Sequence, residues 1–466
     1  MKNNNIEELF NEAFRLINSE SLDENKKQDN FLHELTNNSE YRKVSEFEYL
    51  AEESDYMKAI DIFNEVLSID PNHSLSYEMR AMAKYNLKDY AGTIEDYTKA
   101  IELKPEDARA YYSRGYVKYN LEDYEGTIED FTKAIELEPE DSDYYTIRGE
   151  VKYNIEDYEG AIVDYTTAIE LNPNSALAYY GRGDARSGLK DYAGAIEDHT
   201  KAIELEPEDS DFYVNRAIAK YNLEDYTGVV EDCTKSIELA PNSALAYFNR
   251  GNAKFNLKDY AGAIEDYTKT MELAPNPTNA YYNRGNAKSD LEDYAGAIED
   301  YTKAIEIEPE SADFFSCRGN AKFGLEDYAG AIEDYTTAIE LDSKNAEFYY
   351  NRGVAKGELE DYEGAIKDYT KAIELDSNNA HAYNNRGNAK ADLEDYEGAM
   401  EDYTKAIELN PNYAEAYHNR GYTKSDLEDY ASAIDDYTKA IELNPDSNEA
   451  YEMKEEAEKA LRNEIE

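Results

Sequence analysis

A 34-residue period runs through most of this chain, and no other feature restricts its fold so severely. Gly285 recurs as Gly251, Gly319, Gly353, Gly387 and Gly421, and Tyr294 recurs from Tyr90 to Tyr430 in the same register. Eleven copies follow one another from Ser74 to Ser447 without insertion or deletion. A period of this size means one supersecondary unit per copy, and each unit buries its apolar face only by stacking on its neighbours.

Each copy reads as two helices. In the copy that starts at Thr278, Tyr281, Arg284, Gly285, Lys288 and Leu291 fall at helical spacing. Asp293 stands where an N-cap is expected, because its carboxylate can accept orphan backbone N–H groups. Tyr294, Ala297, Ile298, Tyr301, Ala304 and Ile305 then give a second amphipathic face, and Pro309 ends it. Every copy also has Arg at position 7 and Asp at position 23. A guanidinium on the packed side of a helix is costly unless paired, so an Arg–Asp ladder is expected, with Lys288 sharing Asp300.

The pattern resembles the tetratricopeptide repeat (TPR): an aromatic at position 4, Gly at 8, Ala at 20, an aromatic at 24, Ala at 27 and Pro at 32, here Tyr281, Gly285, Ala297, Tyr301, Ala304 and Pro309. The resemblance covers about four-fifths of the chain and implies an all-α fold, a right-handed superhelical solenoid of antiparallel helix pairs. Departures are local. Ala81 and Ala217 replace the Gly, and Ser343 and Ser377 replace the Pro, where looser turns are expected. His199 and Cys233 replace the second aromatic, where soft spots in the core are expected.

Four segments follow. Residues 1–39 read as an amphipathic helix (Ile6, Leu9, Phe10, Ala13, Phe14) with a polar linker, and 40–73 as a degenerate repeat whose second helix keeps the register. Residues 74–447 are the eleven repeats, and 448–466 read as a solvating C-terminal cap.

Composition narrows the function. Against 103 acidic residues stand 48 basic ones, and a net charge of −55 repels nucleic acid and anionic membrane surfaces. No apolar run approaches a membrane span, and the N-terminus has no apolar core of a leader peptide. Cys233 and Cys317 alone cannot make a disulfide framework, which suits a reducing compartment; a cytoplasmic protein is expected. No cofactor or metal motif is present. His381 and His418 are potential neighbours but too few for a metal site, and Cys317 is the one thiol with any claim to reactivity. An enzyme is not expected, since little chain lies outside the array.

The expected partner is a protein or an extended peptide. The family resemblance implies that positions 2, 5, 6, 9, 12 and 13 of each first helix line a concave groove. Position 6 then supplies Asn215, Asn249, Asn283, Asn351, Asn385 and Asn419, interrupted by Cys317, and position 5 supplies Tyr112, Tyr180, Phe248, Tyr282 and Tyr350. The Asn series resembles the asparagine ladder in the repeat domain of O-linked N-acetylglucosamine transferases, which implies a hold on a peptide's main chain. A carboxamide carries a donor and an acceptor side by side, and Asn on an exposed face should cost little stability when replaced. Chaperone C-terminal carboxylates are an unlikely ligand class, because the Lys residues that clamp them in related repeats are missing from positions 2 and 5. The alternatives are a substrate-recognition subunit of a larger enzyme complex and a structural spacer.

Overall fold

The structure is a computed structural model that describes residues 2–17 and 52–465. Among these residues it contains 25 α-helices and no strand. The degenerate first helix expected after residue 40 lies outside the described residues. The chain divides into two compact units, Met1–Pro241 and Asn242–Glu466, each an array of antiparallel helix hairpins.

Every repeat has the same anatomy, seen in Thr278–Asp290 followed by Tyr294–Ile307. The first helix ends in a two-bond C-cap: the Asp293 N–H reaches the Lys288 carbonyl at 2.9 Å and the Glu292 N–H reaches Ser289 at 2.9 Å. Glu292 adopts φ 60°, the left-handed region where Gly is usual, and the equivalent Lys or Glu does so in all eleven copies. Asp293 then caps the second helix by accepting the Gly296 N–H at 3.1 Å. Two helices are thus joined by one short turn with its backbone polar groups satisfied.

The hairpin closes because Gly285 lets the Tyr301 ring lie on the backbone of the first helix. A Cβ there would sit 2.7 Å from Cε1 of Tyr301. One copy replaces both partners, with Ala217 for the Gly and Cys233 for the Tyr, and both are fully buried. The copies without Pro keep the side-chain turn bond that Asn172 and Asn410 make beside Pro173 and Pro411, with Asp342 accepting from the Lys344 N–H at 3.0 Å and Asp376 from Asn378 at 3.1 Å.

The Arg–Asp ladder is present, within each copy. Arg284 donates from Nε and Nη2 to Asp300 at 2.9 and 2.6 Å, and Lys288 Nζ lies 2.8 Å from the same carboxylate. Asp300 is 2 % exposed, and its hydrogen bonds hold the Arg284 guanidinium above its ordinary pKa. Arg284 Nη1 also donates to Thr268 Oγ1 of the preceding copy at 2.9 Å. One guanidinium therefore closes its own hairpin and ties it to the previous one.

At the N-terminus, Lys2–Ile17 packs on Glu53–Ile69 through Ala13, Ile17 and Phe10 against Ala59 and Phe63. At the other end Asn448–Ile465 covers the last repeat, with Ala457 buried against Ala433 and Tyr437. No described helix is long and apolar enough to cross a membrane.

Candidate functional site

The first helices carry the residues singled out above, and all of them are half-buried. The position-5 rings are wedged between copies. Tyr282 packs on Tyr301 of its own second helix at 6.1 Å and on Phe314 of the next copy at 5.0 Å. Tyr112 meets Phe131 and Tyr144 at 5.6 and 5.4 Å, and Tyr180 meets Phe212 at 5.0 Å. Phe248 and Tyr350 lie against Tyr267 and Tyr369, at 6.0 and 5.9 Å. One face of each ring is thus spent on packing.

The Asn side chains are not loose on a solvated face. Asn283 donates to Asn252 Oδ1 at 3.0 Å, Asn351 to Asn320 at 3.4 Å, and Asn419 to Asn388 at 3.0 Å. Each acceptor is position 9 of the preceding copy. The same Asn oxygens also accept from the buried Tyr of their own copy: Tyr267 to Asn252 at 2.9 Å, Tyr335 to Asn320 at 2.7 Å and Tyr403 to Asn388 at 2.9 Å. A relay of Tyr, Asn and the next copy's Asn therefore links core to wall. Asn385 instead donates to Tyr350 Oη at 3.1 Å, and Asn215 to Tyr180 Oη at 2.7 Å and Asp184 at 2.9 Å. Asn249 Nδ2 has no hydrogen-bond partner.

These bonds leave a regular residue. In the pairs Asn252–Asn283, Asn320–Asn351 and Asn388–Asn419, the position-9 Nδ2 and the position-6 Oδ1 enter no hydrogen bond among the described residues. Each pair thus offers one donor and one acceptor. Sequence reasoning missed this division of labour. Its signal was available: three of the four Asn residues at position 9 precede an Asn at position 6 by 31 residues.

Cys317 takes the Asn place, with Sγ 3.7 Å from Tyr282 Oη. Burial pushes its thiol pKa up, away from the reactive thiolate. His381 and His418 do not share a site: His381 Nδ1 bonds Tyr413 Oη at 2.8 Å, while His418 lies 3.8 Å from Glu449. Among the described residues no three His, Cys, Asp or Glu side chains are grouped to hold a metal.

Family profiles described as "TPR repeat" match residues 81–122, 149–190, 319–360 and 387–427, and "Tetratricopeptide repeat" profiles match 108–141, 176–209, 244–277, 278–311, 346–379 and 414–447. Together they cover more than half of the chain. This chain belongs to the tetratricopeptide repeat family. No curated protein sequence matches it significantly. Among solved structures, this TPR protein is similar to a chain of the APC/C hetero-tetramer Cut9–Hcn1 (16% identity, 87% of this chain and 93% of that one, TM-score 0.43). It is also similar to yeast Tom70 (19%, 84% and 96%, TM-score 0.37). A third is YrrB, titled a TPR protein with an unusual peptide-binding site (26%, 41% and 99%, TM-score 0.37).

Proposed function

We propose that this TPR protein is a non-enzymatic scaffold that holds extended peptide segments of partner proteins along the first-helix wall. The observation that carries the reading is the unspent half of each Asn pair. Asn252 Nδ2 with Asn283 Oδ1 is complementary to one peptide unit, which has one C=O and one N–H. The pairs at Asn320–Asn351 and Asn388–Asn419 repeat that complement. Main-chain recognition of this kind reads conformation more than sequence, and the half-buried Tyr and Phe rings add apolar contact at low entropic cost.

Binding through neutral amides should depend weakly on salt, since the charge lies elsewhere. The test begins by selecting binders to the full chain from randomised linear peptides. Their affinity is then measured for the parent and for Asn320→Ala/Asn351→Ala. A drop of about tenfold is expected from two lost hydrogen bonds. Equal affinity, with the variant still folded, would remove the wall from the function.

A further inference from the structure

Every repeat after the first exposes one large apolar side chain at position 14, at the turn between its helices, whereas Leu87 of the first repeat packs against the N-terminal core. In the C-terminal unit these are Leu257, Leu291, Leu325, Leu359, Leu393 and Leu427, between 46 and 52 % exposed. The turn does not demand Leu. The left-handed residue that the C-cap geometry requires is the next one, and within this unit it varies between Lys258 and Glu292 while position 14 stays Leu. Leu427 leans over the second helix of the preceding copy. Leu427 closes a shallow notch with Met400 and Thr404, rimmed by Glu397, Glu401 and Glu408. Glu408 is paired with Lys405 at 3.0 Å, and Glu397 and Glu401 are exposed. In the same register Leu325, Leu359 and Leu393 follow Ile298, Ile332 and Ile366.

An apolar row this regular invites burial. A second copy of the chain is a poor occupant, because each molecule carries a net charge of −55 and the notch is rimmed by carboxylates. A cationic occupant is complementary. Spacing narrows its form. Successive first helices touch, as do Thr278–Asp290 and Ala312–Gly324, and touching helices lie about 8–10 Å apart. On an α-helix, residues seven apart lie on one face about 10.5 Å apart. We infer that the position-14 edge of the C-terminal unit is a second docking surface, for a basic amphipathic helix of a partner protein with an apolar residue in every heptad. It is separate from the Asn wall and stands whether or not the wall binds peptide.

The probe is a fluorescent synthetic helix with Leu at each seventh position and Lys and Ala elsewhere. A control of equal composition has its Leu residues spaced out of register. Anisotropy titrations use the full chain, its Leu325→Ser/Leu359→Ser/Leu393→Ser variant, which keeps every charge, and an Asn320→Ala/Asn351→Ala variant. The expected results are a loss of tenfold or more for the Leu variant and for the control helix, and less than twofold for the Asn variant. Amide protection on binding should fall on the position-14 turns. Equal binding of the two helices, or equal binding by the parent and the Leu variant with its melting unchanged, would reduce the interaction to charge alone and overturn the proposal. So would protection confined to the Asn wall.

Discussion

The two units are built from the same copies, yet their inner rungs differ. In the N-terminal unit the early rungs sit at the end of the first helix, where Asn120 donates to Tyr85 Oη at 2.9 Å and Asn154 to Tyr119 Oη at 2.7 Å, and Asn215 already bonds Tyr180 and Asp184 higher on the helix. In the C-terminal unit they have moved up the helix to the Tyr–Asn–Asn relays, and a Tyr fills position 24 in every copy. The N-terminal unit breaks that uniformity with His199, the one copy with Asp at position 9. His199 is fully buried, and neither ring nitrogen has a hydrogen-bond partner; Asp184 Oδ1 is 3.5 Å from Nε2 without hydrogen-bond geometry. A solenoid's stability is close to a sum over repeats and their interfaces, so such a copy should be the first to open.

The largest expected effect tests what the units share. Replacing the buried acid, Asp164→Ala in one unit or Asp300→Ala in the other, strands an Arg and a Lys. Each should cost about 3–5 kcal/mol in its own unit. Denaturant melts read with hydrogen exchange will show whether the two losses match; a loss in only one unit would mean that the network is not the common frame.

The His199 copy should separate the units by pH. Burial first, and the Arg216 charge second, push His199 down to about 4 from an ordinary 6.5. Between those values the unfolded chain takes up a proton that the folded chain refuses. This stability is therefore complete above pH 6.5 and is lost as pH falls towards 4, by on the order of 3 kcal/mol. In His199→Tyr/Asp184→Asn, which restores the relay of the other unit, the acid-sensitive step should vanish from the exchange of residues near 199. Its persistence would assign it elsewhere.

Smaller effects sharpen the contrast between the rungs. Asn320→Ala removes acceptors for Tyr335 and Asn351 and should cost about 1–2 kcal/mol in the C-terminal unit, measured by chemical denaturation. A neutral result would mean that the relay does not brace. Smallest is Glu326→Gly, which relieves a left-handed residue at φ 61° and should stabilise by about 1 kcal/mol.

Much of this was legible in the sequence because a repeat states its own rules eleven times. The helix pairs, the Asp293 cap and the Arg284–Asp300 pair follow from periodicity and the cost of a buried charge. The Thr268 contact of Arg284 was not legible, since a Thr on a second helix signals nothing until the neighbouring copy is stacked on it. The expectation that groove Asn residues sit on an exposed face fails for the same reason. Whether Asn351 is free or bonded to Asn320 depends on stacking geometry between copies, which a single copy's pattern does not contain. The left-handed Glu292 leaves no trace either, because the turn accepts a residue that local preference disfavours.

The central claim is that the first-helix wall holds a peptide by its main chain. It is tested most directly without altering the protein, by methylating successive main-chain nitrogens of a selected peptide and titrating each version. A bound peptide whose N–H groups donate to Asn283, Asn351 and Asn419 Oδ1 should lose about tenfold in affinity at methyl positions that recur along it, with intervening positions nearly silent. Affinity that is indifferent to methylation at every position, while side-chain changes abolish it, would contradict main-chain recognition.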